Sequence, residues 1–267
     1  MNPVRRLSEA LRGMRWAQVV LELALLILGI LIALAVDGWM DGRRDARAER
    51  QYLELLVRDL NRDLEVLDEV MAYEQRQVED GILAYRALRS GVAPADREVV
   101  AGALTRLTSR RTLRLTRATY TDLLSTGNLR LVRNAALRDR IVGLYETNER
   151  TLVIRDRNNE VFVDQMYMQY LLGSGLIAPR PGHNLPQLLR PMREFAERVA
   201  VPVDARSDRL WRLPEDDPER FVLANKVWFR SYVSQTAIAQ TRTMTEEIRS
   251  VRDEITAELA RRWPRQP

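Results

Sequence analysis

Few residues in this chain could do chemistry, and their spacing limits what they could do. Carboxylates come in pairs such as Asp59/Asp63 and Glu246/Glu247. Paired carboxylates support acid–base work or metal binding when a histidine or other ligand shares their site. Here they sit at helical spacing or side by side, as on a solvated helix face. The one histidine, His183, lies in "LIAPRPGHNLP", a Gly/Pro-rich loop. A lone loop histidine reads as solvated or structural rather than as a ligand. Cysteine is absent, which excludes disulfides, thiolate catalysis and cysteine-based zinc sites. No P-loop, Gly-x-Ser-x-Gly elbow, His-Glu-x-x-His or Gly-x-Gly-x-x-Gly pattern occurs. Lys226 has no glycine-rich approach, and "LGSGLI" at 172–177 reads as a turn. The chain is therefore expected to be non-enzymatic, with no cofactor and no metal.

Two charged features remain. Arg106, Arg110, Arg111, Arg114 and Arg117 fall in "TRLTSRRTLRLTRAT", with no acid among them. Such a patch suits anionic lipid headgroups, nucleic acid or an acidic partner, or else a solvated face paired with acids on neighbouring helices. No interleaved aromatic residues offer a stacking platform for bases, which makes nucleic acid the weakest of these partners. The net charge of +5 adds little, because acids are interspersed almost everywhere. The second feature is Glu22, a carboxylate inside "VVLELALLILGILIALAVDGW".

The element that holds Glu22 is a candidate membrane anchor. Trp16 to Val36 is 21 residues. As a helix this reaches about 31 Å, close to the hydrocarbon thickness of a bilayer. Trp16 and Trp39 stand where interfacial aromatics belong, and four arginines flank each end. A cleavable secretion signal is the rival, since Ala33-Leu34-Ala35 fits a small-x-small site. The apolar run is longer than a signal core, however, and Glu22 interrupts it. Gln18, Glu22, Gly29 and Ala33 fall on one stripe of the helix. Small residues there permit close helix approach, and a buried polar group can bond across it. Equal arginine counts leave orientation open. The arginines and amino group of the short tail favour a cytoplasmic N-terminus and a periplasmic domain at a bacterial inner membrane, with the reverse topology as the alternative.

The rest reads as all-α: a basic tail at 1–15, a transmembrane helix at 16–39 and a helical domain at 40–267. Its long helices are expected at about 43–90, 134–172 and 217–263. Leu53, Val57, Leu60, Leu64, Leu67, Met71, Val78, Tyr85 and Leu88 follow steps of three and four, with Glu74 and Gly81 as weak positions. Continued backwards, this register meets Gly29 and Glu22. A shorter helix covers Asp96 to Ser109, Gly127-Asn128 ends another, and Asn134 caps the next. Leu188 to Val199 reads as a short helix disturbed by Pro191. Asp217-Pro218 opens the last helix, on which Leu223, Val227, Ala237, Met244, Ile248, Val251 and Ile255 share a face, weakest around Arg230 and Ser234. Two long helices of similar reach predict an elongated antiparallel bundle.

Two stretches carry a family resemblance: "LELALLILGILIAL" with "DGW" and "ERQYLELLVRDLNRDL", and later "TYTDLLSTGNLRLVRNAALRDRIVGLY". They resemble uncharacterised bacterial single-span membrane proteins known only as a domain of unknown function. The resemblance implies an uncleaved anchor and a helical domain, with Glu22, Gly29, Trp39, Tyr52, Gly127, Asn128 and Asn134 on recurrent positions. It implies no activity. The sequence thus points to a membrane-anchored helical interaction or scaffold protein. Its partners would be membrane lipids and further copies of itself or other envelope proteins. A lipid- or nucleic-acid-binding module and a sensor input subunit are the alternatives.

Overall fold

The computed structural model describes the backbone of residues 3–178, 198 and 208–264, with side chains at Trp16 and from residue 20 onward. His183 and the helix expected over Leu188–Val199 lie outside the described residues. Every regular element described is helical. Helix α1 (Pro3–Ser90) runs without a break through the apolar segment and the first heptad stripe. It is followed by α2 (Arg97–Arg106), α3 (Ala118–Ser125) and α4 (Ala135–Asn158). A π-helical stretch (Asn159–Met168) then leads into α5 (Gln169–Ser174), and α6 (Pro218–Arg262) returns along α1.

Local chemistry sets the boundaries. Asn134 Oδ1 accepts from the Leu137 amide at 3.2 Å and starts α4. Asp217 accepts from the Glu219 amide at 2.8 Å, and Pro218 takes the first turn of α6, where its missing N–H costs nothing. Gly127, at φ +70°, supplies the left-handed residue that ends α3 and turns the chain into a 3-10 turn at Asn128–Leu131.

The core is an antiparallel pair of α1 and α6. On α1 the buried line runs Glu49, Leu53, Leu56, Leu60, Asp63, Leu67, Val70, Glu74, Gln77, Gly81, Ala84, Leu88. On α6 it runs Arg220, Leu223, Val227, Arg230, Ser234, Ala237, Thr241, Met244, Ile248, Val251, Ile255, Glu258. Both lines alternate strictly between steps of three and four, the heptad signature of a left-handed helix pair. The expected stripe was right in one column and off by a residue in the other. In that column Leu64 is buried, but Val57, Met71, Val78 and Tyr85 are only half-buried at the edge of the seam, while Leu56, Asp63, Val70, Gln77 and Ala84 fill it. Apolar periodicity misplaces that column because two of its five seam positions are polar.

The smaller helices pack on one flank of the pair. On α1, Asp59 accepts from Thr119 Oγ1 at 2.6 Å, and Asp80 pairs with Arg106. On α6, Lys226 donates to the Met166 carbonyl at 3.2 Å, and Glu254 pairs with Arg140 at 3.0 Å. The opposite flank carries Asp68, Gln75, Ile82 and Arg89 of α1 and Arg242, Gln235, Trp228 and Phe221 of α6, all exposed among the described residues.

The two long helices pack tightly at Gly81. A Cβ there would lie 1.9 Å from Ser231 Oγ and 2.9 Å from Ser231 Cβ. Gly81→Ala is expected to destabilise the bundle by about 1–3 kcal/mol through overpacking. Adding Ser231→Gly should return part of that loss. Urea midpoints of the detergent-solubilised protein check both.

Candidate functional site

Two apolar clusters fill the bundle. One gathers Leu53 to Val70 with Ile141, Leu144 and Met244 to Ile255. The other gathers Ala84 to Leu88 with Leu104, Tyr167, Leu171, Leu210 and Leu223 to Val227. Between them lies a polar layer. Glu74, Gln77, Arg155, Arg230, Ser234 and Thr241 are all buried, and Arg230 is 1 % exposed.

The layer is one connected network. Glu74 Oε1 accepts from Arg155 Nη2 at 2.8 Å, and Oε2 accepts from Ser234 Oγ at 2.7 Å. Arg155 Nη1 reaches Thr241 Oγ1 at 3.0 Å. Arg230 donates to Ser234 Oγ at 2.5 Å, to Gln77 Oε1 at 3.0 Å, and to the carbonyls of Leu107 at 2.9 Å and Ser109 at 2.9 Å. Four elements are thereby tied together: α1, α4, α6 and the segment leaving α2. Burial lowers the pKa of both guanidiniums from the ordinary arginine value, and the Glu74 carboxylate opposes that shift. Burial also pushes the neighbouring Tyr73 hydroxyl up to about 12. The π-helical stretch begins four residues after Arg155, at Asn159, itself buried. Such insertions re-aim side chains along a helix.

None of these residues stood out as a site in the sequence. Glu74, Arg230 and Ser234 looked like weak points of apolar faces. The signal was present, however: weak positions on two heptad lines, opposite in charge, at levels that an antiparallel pairing brings together.

A second polar cluster sits where α1 enters the bundle. Glu49, 1 % exposed, accepts from the Arg133 amide at 2.9 Å and from Arg262 Nη1. Glu258 binds Arg261 at 2.7 Å and accepts from Asn134 Nδ2 at 3.4 Å. Nearby, Tyr52 donates to Asp122 Oδ2 at 2.7 Å and accepts from Asn128 Nδ2 at 3.1 Å. Tyr52, Asn128 and Asn134 thus have structural work at one end of the bundle.

Asp59 and Asp63 bind the first turn of α3 and the segment that leads into it. Asp63 Oδ1 accepts from the Thr116 amide at 2.7 Å. Burial pushes Asp63 up to about 6, against the lowering effect of that bond.

The arginine patch is largely compensated. Arg106 pairs with Asp80, Arg110 with Asp164 at 2.9 Å, Arg111 with Glu69, and Arg117 with Glu149 at 3.0 Å. Arg114 lines an open surface depression beside Arg110, Arg157 and Glu160.

In the apolar segment, Glu22, Gly29 and Ala33 lie on the exposed helix, and the side chain of Gln18 is outside the described residues. Nothing approaches within 4 Å of a Cβ placed on Gly29. Trp16 and Trp39 are exposed, and Arg43 stacks over Trp39 at 4.2 Å. Among the described residues this is one helix long and apolar enough to cross a membrane, with none of its apolar window buried.

A family model described as a family of unknown function, DUF6090, matches residues 22–167. The chain belongs to that family. Searches of curated proteins and of solved structures returned no match. The DUF6090 stretch contains Glu22, Gly29, the Tyr52–Asp122–Asn128 cluster, and Glu74, Gln77 and Arg155 of the polar layer. Arg230, Ser234 and Thr241 lie on α6, beyond it.

Glu74→Ala leaves two buried guanidiniums without their carboxylate and is expected to cost about 3–5 kcal/mol in a urea titration. Glu74→Gln, which keeps hydrogen-bonding atoms in place, should cost less. For Asp63, the folded pKa lies above the unfolded value. Its protonation therefore stabilises the fold at low pH, and that contribution disappears as pH rises through about 6. The pH dependence of stability between pH 4 and 7 should be flatter in Asp63→Asn than in the parent protein.

Proposed function

We propose that the protein is a single-pass, non-catalytic scaffold of the bacterial inner membrane, which holds an elongated helical bundle at a fixed distance from the bilayer and recruits further copies of itself or other envelope proteins. The observation that carries this reading is the continuity of α1. One helix of 88 residues includes both the uncovered apolar segment and the heptad seam of the bundle. At helical rise it is about 130 Å long. Nothing in it offers a flexible linker between anchor and domain.

The interior also favours a structural role. Most hydrogen bonds of its buried arginines go to neighbouring side chains of the layer and to backbone carbonyls, deep between two apolar clusters. The compensated arginines argue against a lipid- or nucleic-acid-binding module, since four of the five already have carboxylate partners. Arg5, Arg6, Arg12 and Arg15 before the apolar segment favour a cytoplasmic position for that flank, with the bundle on the periplasmic side.

An alkaline phosphatase fused to the C-terminus is expected to be active, and the protein should stay with the membrane after alkaline carbonate washing. An inactive fusion would reverse the topology. Release by carbonate would remove the anchor.

A further inference from the structure

We infer that the open flank of the α1/α6 pair is the face on which a second copy docks, related by a two-fold axis parallel to the bundle. This rests on the self-association part of the reading above and says where it happens.

The argument starts from what this flank presents. Helices α2 to α5 and the π-helical stretch all pack on the other side of the pair, so a line with one side chain for every two turns of α1 and of α6 faces outward here. Each line steps by seven. On α1 it reads Asp68, Gln75, Ile82, Arg89; on α6, read in the opposite direction, Arg242, Gln235, Trp228, Phe221. The cross-helix contacts fix the levels. Glu74 meets Ser234, Gln77 meets Arg230, and Gly81 abuts Ser231. Asp68 therefore stands level with Arg242, Gln75 with Gln235, Ile82 with Trp228, and Arg89 with Phe221.

Every level is a complementary pair: acid with base, amide with amide, aliphatic with indole, guanidinium with aromatic ring. Within the chain Arg89 already stacks on Phe221 at 4.6 Å. Asp68 and Arg242, by contrast, form no ion pair among the described residues. A two-fold axis parallel to the helices keeps height and exchanges sides. It sets α1 of one copy against α6 of the other, so each pair would be met twice across the interface, as an isologous contact requires. Trp228 and Ile82 are 51 % and 46 % exposed, and Trp and Arg are the residue types that dominate binding hot spots. The lipid surface is not the occupant: Ile82 lies about 65 Å along α1 from Trp39, at 1.5 Å per residue. A shared membrane anchor holds copies parallel and at equal height, which is the arrangement this axis needs.

The test uses the full chain in membranes. The protein has no cysteine, so Gln75→Cys and Gln235→Cys can be placed on separate, differently tagged copies and co-expressed. Co-purification of the two tags is expected, together with a disulfide between Gln75→Cys and Gln235→Cys copies under mild oxidation. Asp68→Arg or Arg242→Asp alone should each weaken dimerisation by about tenfold, and the double exchange in one chain should restore it to near the parent level. All three variants change exposed positions, and circular dichroism checks that they remain folded. Tags that co-purify without the disulfide, or charge reversals without rescue, overturn the flank assignment and leave self-association standing. Tags that do not co-purify overturn both.

Discussion

The fold turns on one carboxylate. Glu74 sits on the seam between the two longest helices and accepts from Arg155 on α4 and Ser234 on α6, while Ser234 in turn binds Arg230. Two guanidiniums and one carboxylate in a dry interior are costly to bury, and the hydrogen bonds among them offset much of that cost, although Arg155 Nε is buried without a partner among the described residues. An apolar seam of uniform leucines would accept the helices at several heptad offsets. A polar layer accepts one, because a shift by seven residues would set Arg230 against Val70 or Ala84 and Glu74 against Val227 or Thr241. The network therefore fixes register as much as it contributes stability. The apolar clusters on either side supply the driving force, at roughly 1.5–3 kcal/mol for each fully buried large aliphatic residue.

The rest of the bundle arranges itself around that register. Arg230 reaches the carbonyls of Leu107 and Ser109, and so decides where the chain leaves α2. The arginines run from Arg106, the last residue of α2, along the segment that follows, on a flank studded with Glu69, Asp80, Glu149 and Asp164, which neutralise four of them. A patch that looks strongly basic in one dimension becomes a row of ion pairs in three. Such surface pairs contribute little each, but together they orient the connection between α2 and α3.

The helical architecture was legible because it follows from local signals: heptad steps, the Asn134 and Asp217 caps, and the glycine after α3. The layer was not legible by the same route. Periodicity arguments score apolar residues, so Glu74, Arg230 and Ser234 counted as defects in a stripe, and the column through Asp63 and Gln77 was replaced by its half-buried neighbour through Val57 and Met71. Arg155 had no signal at all, because burial of a charge on α4 depends on a partner 81 positions earlier in the chain. Polar residues at seam positions are better read as pairs in waiting, with the antiparallel register used to ask which of them meet.

Torque has nowhere to dissipate along α1. The helix contains no proline after Pro3 and no break before Ser90, and it is gripped at its entry to the bundle by the Glu49–Arg133–Arg262 cluster and again midway by Glu74. A rotation imposed on the apolar end would therefore arrive at the first grip as a load on buried ion pairs rather than being lost in a swivel. The rod that joins the apolar segment to the bundle also ties the bundle's azimuth to that of the segment.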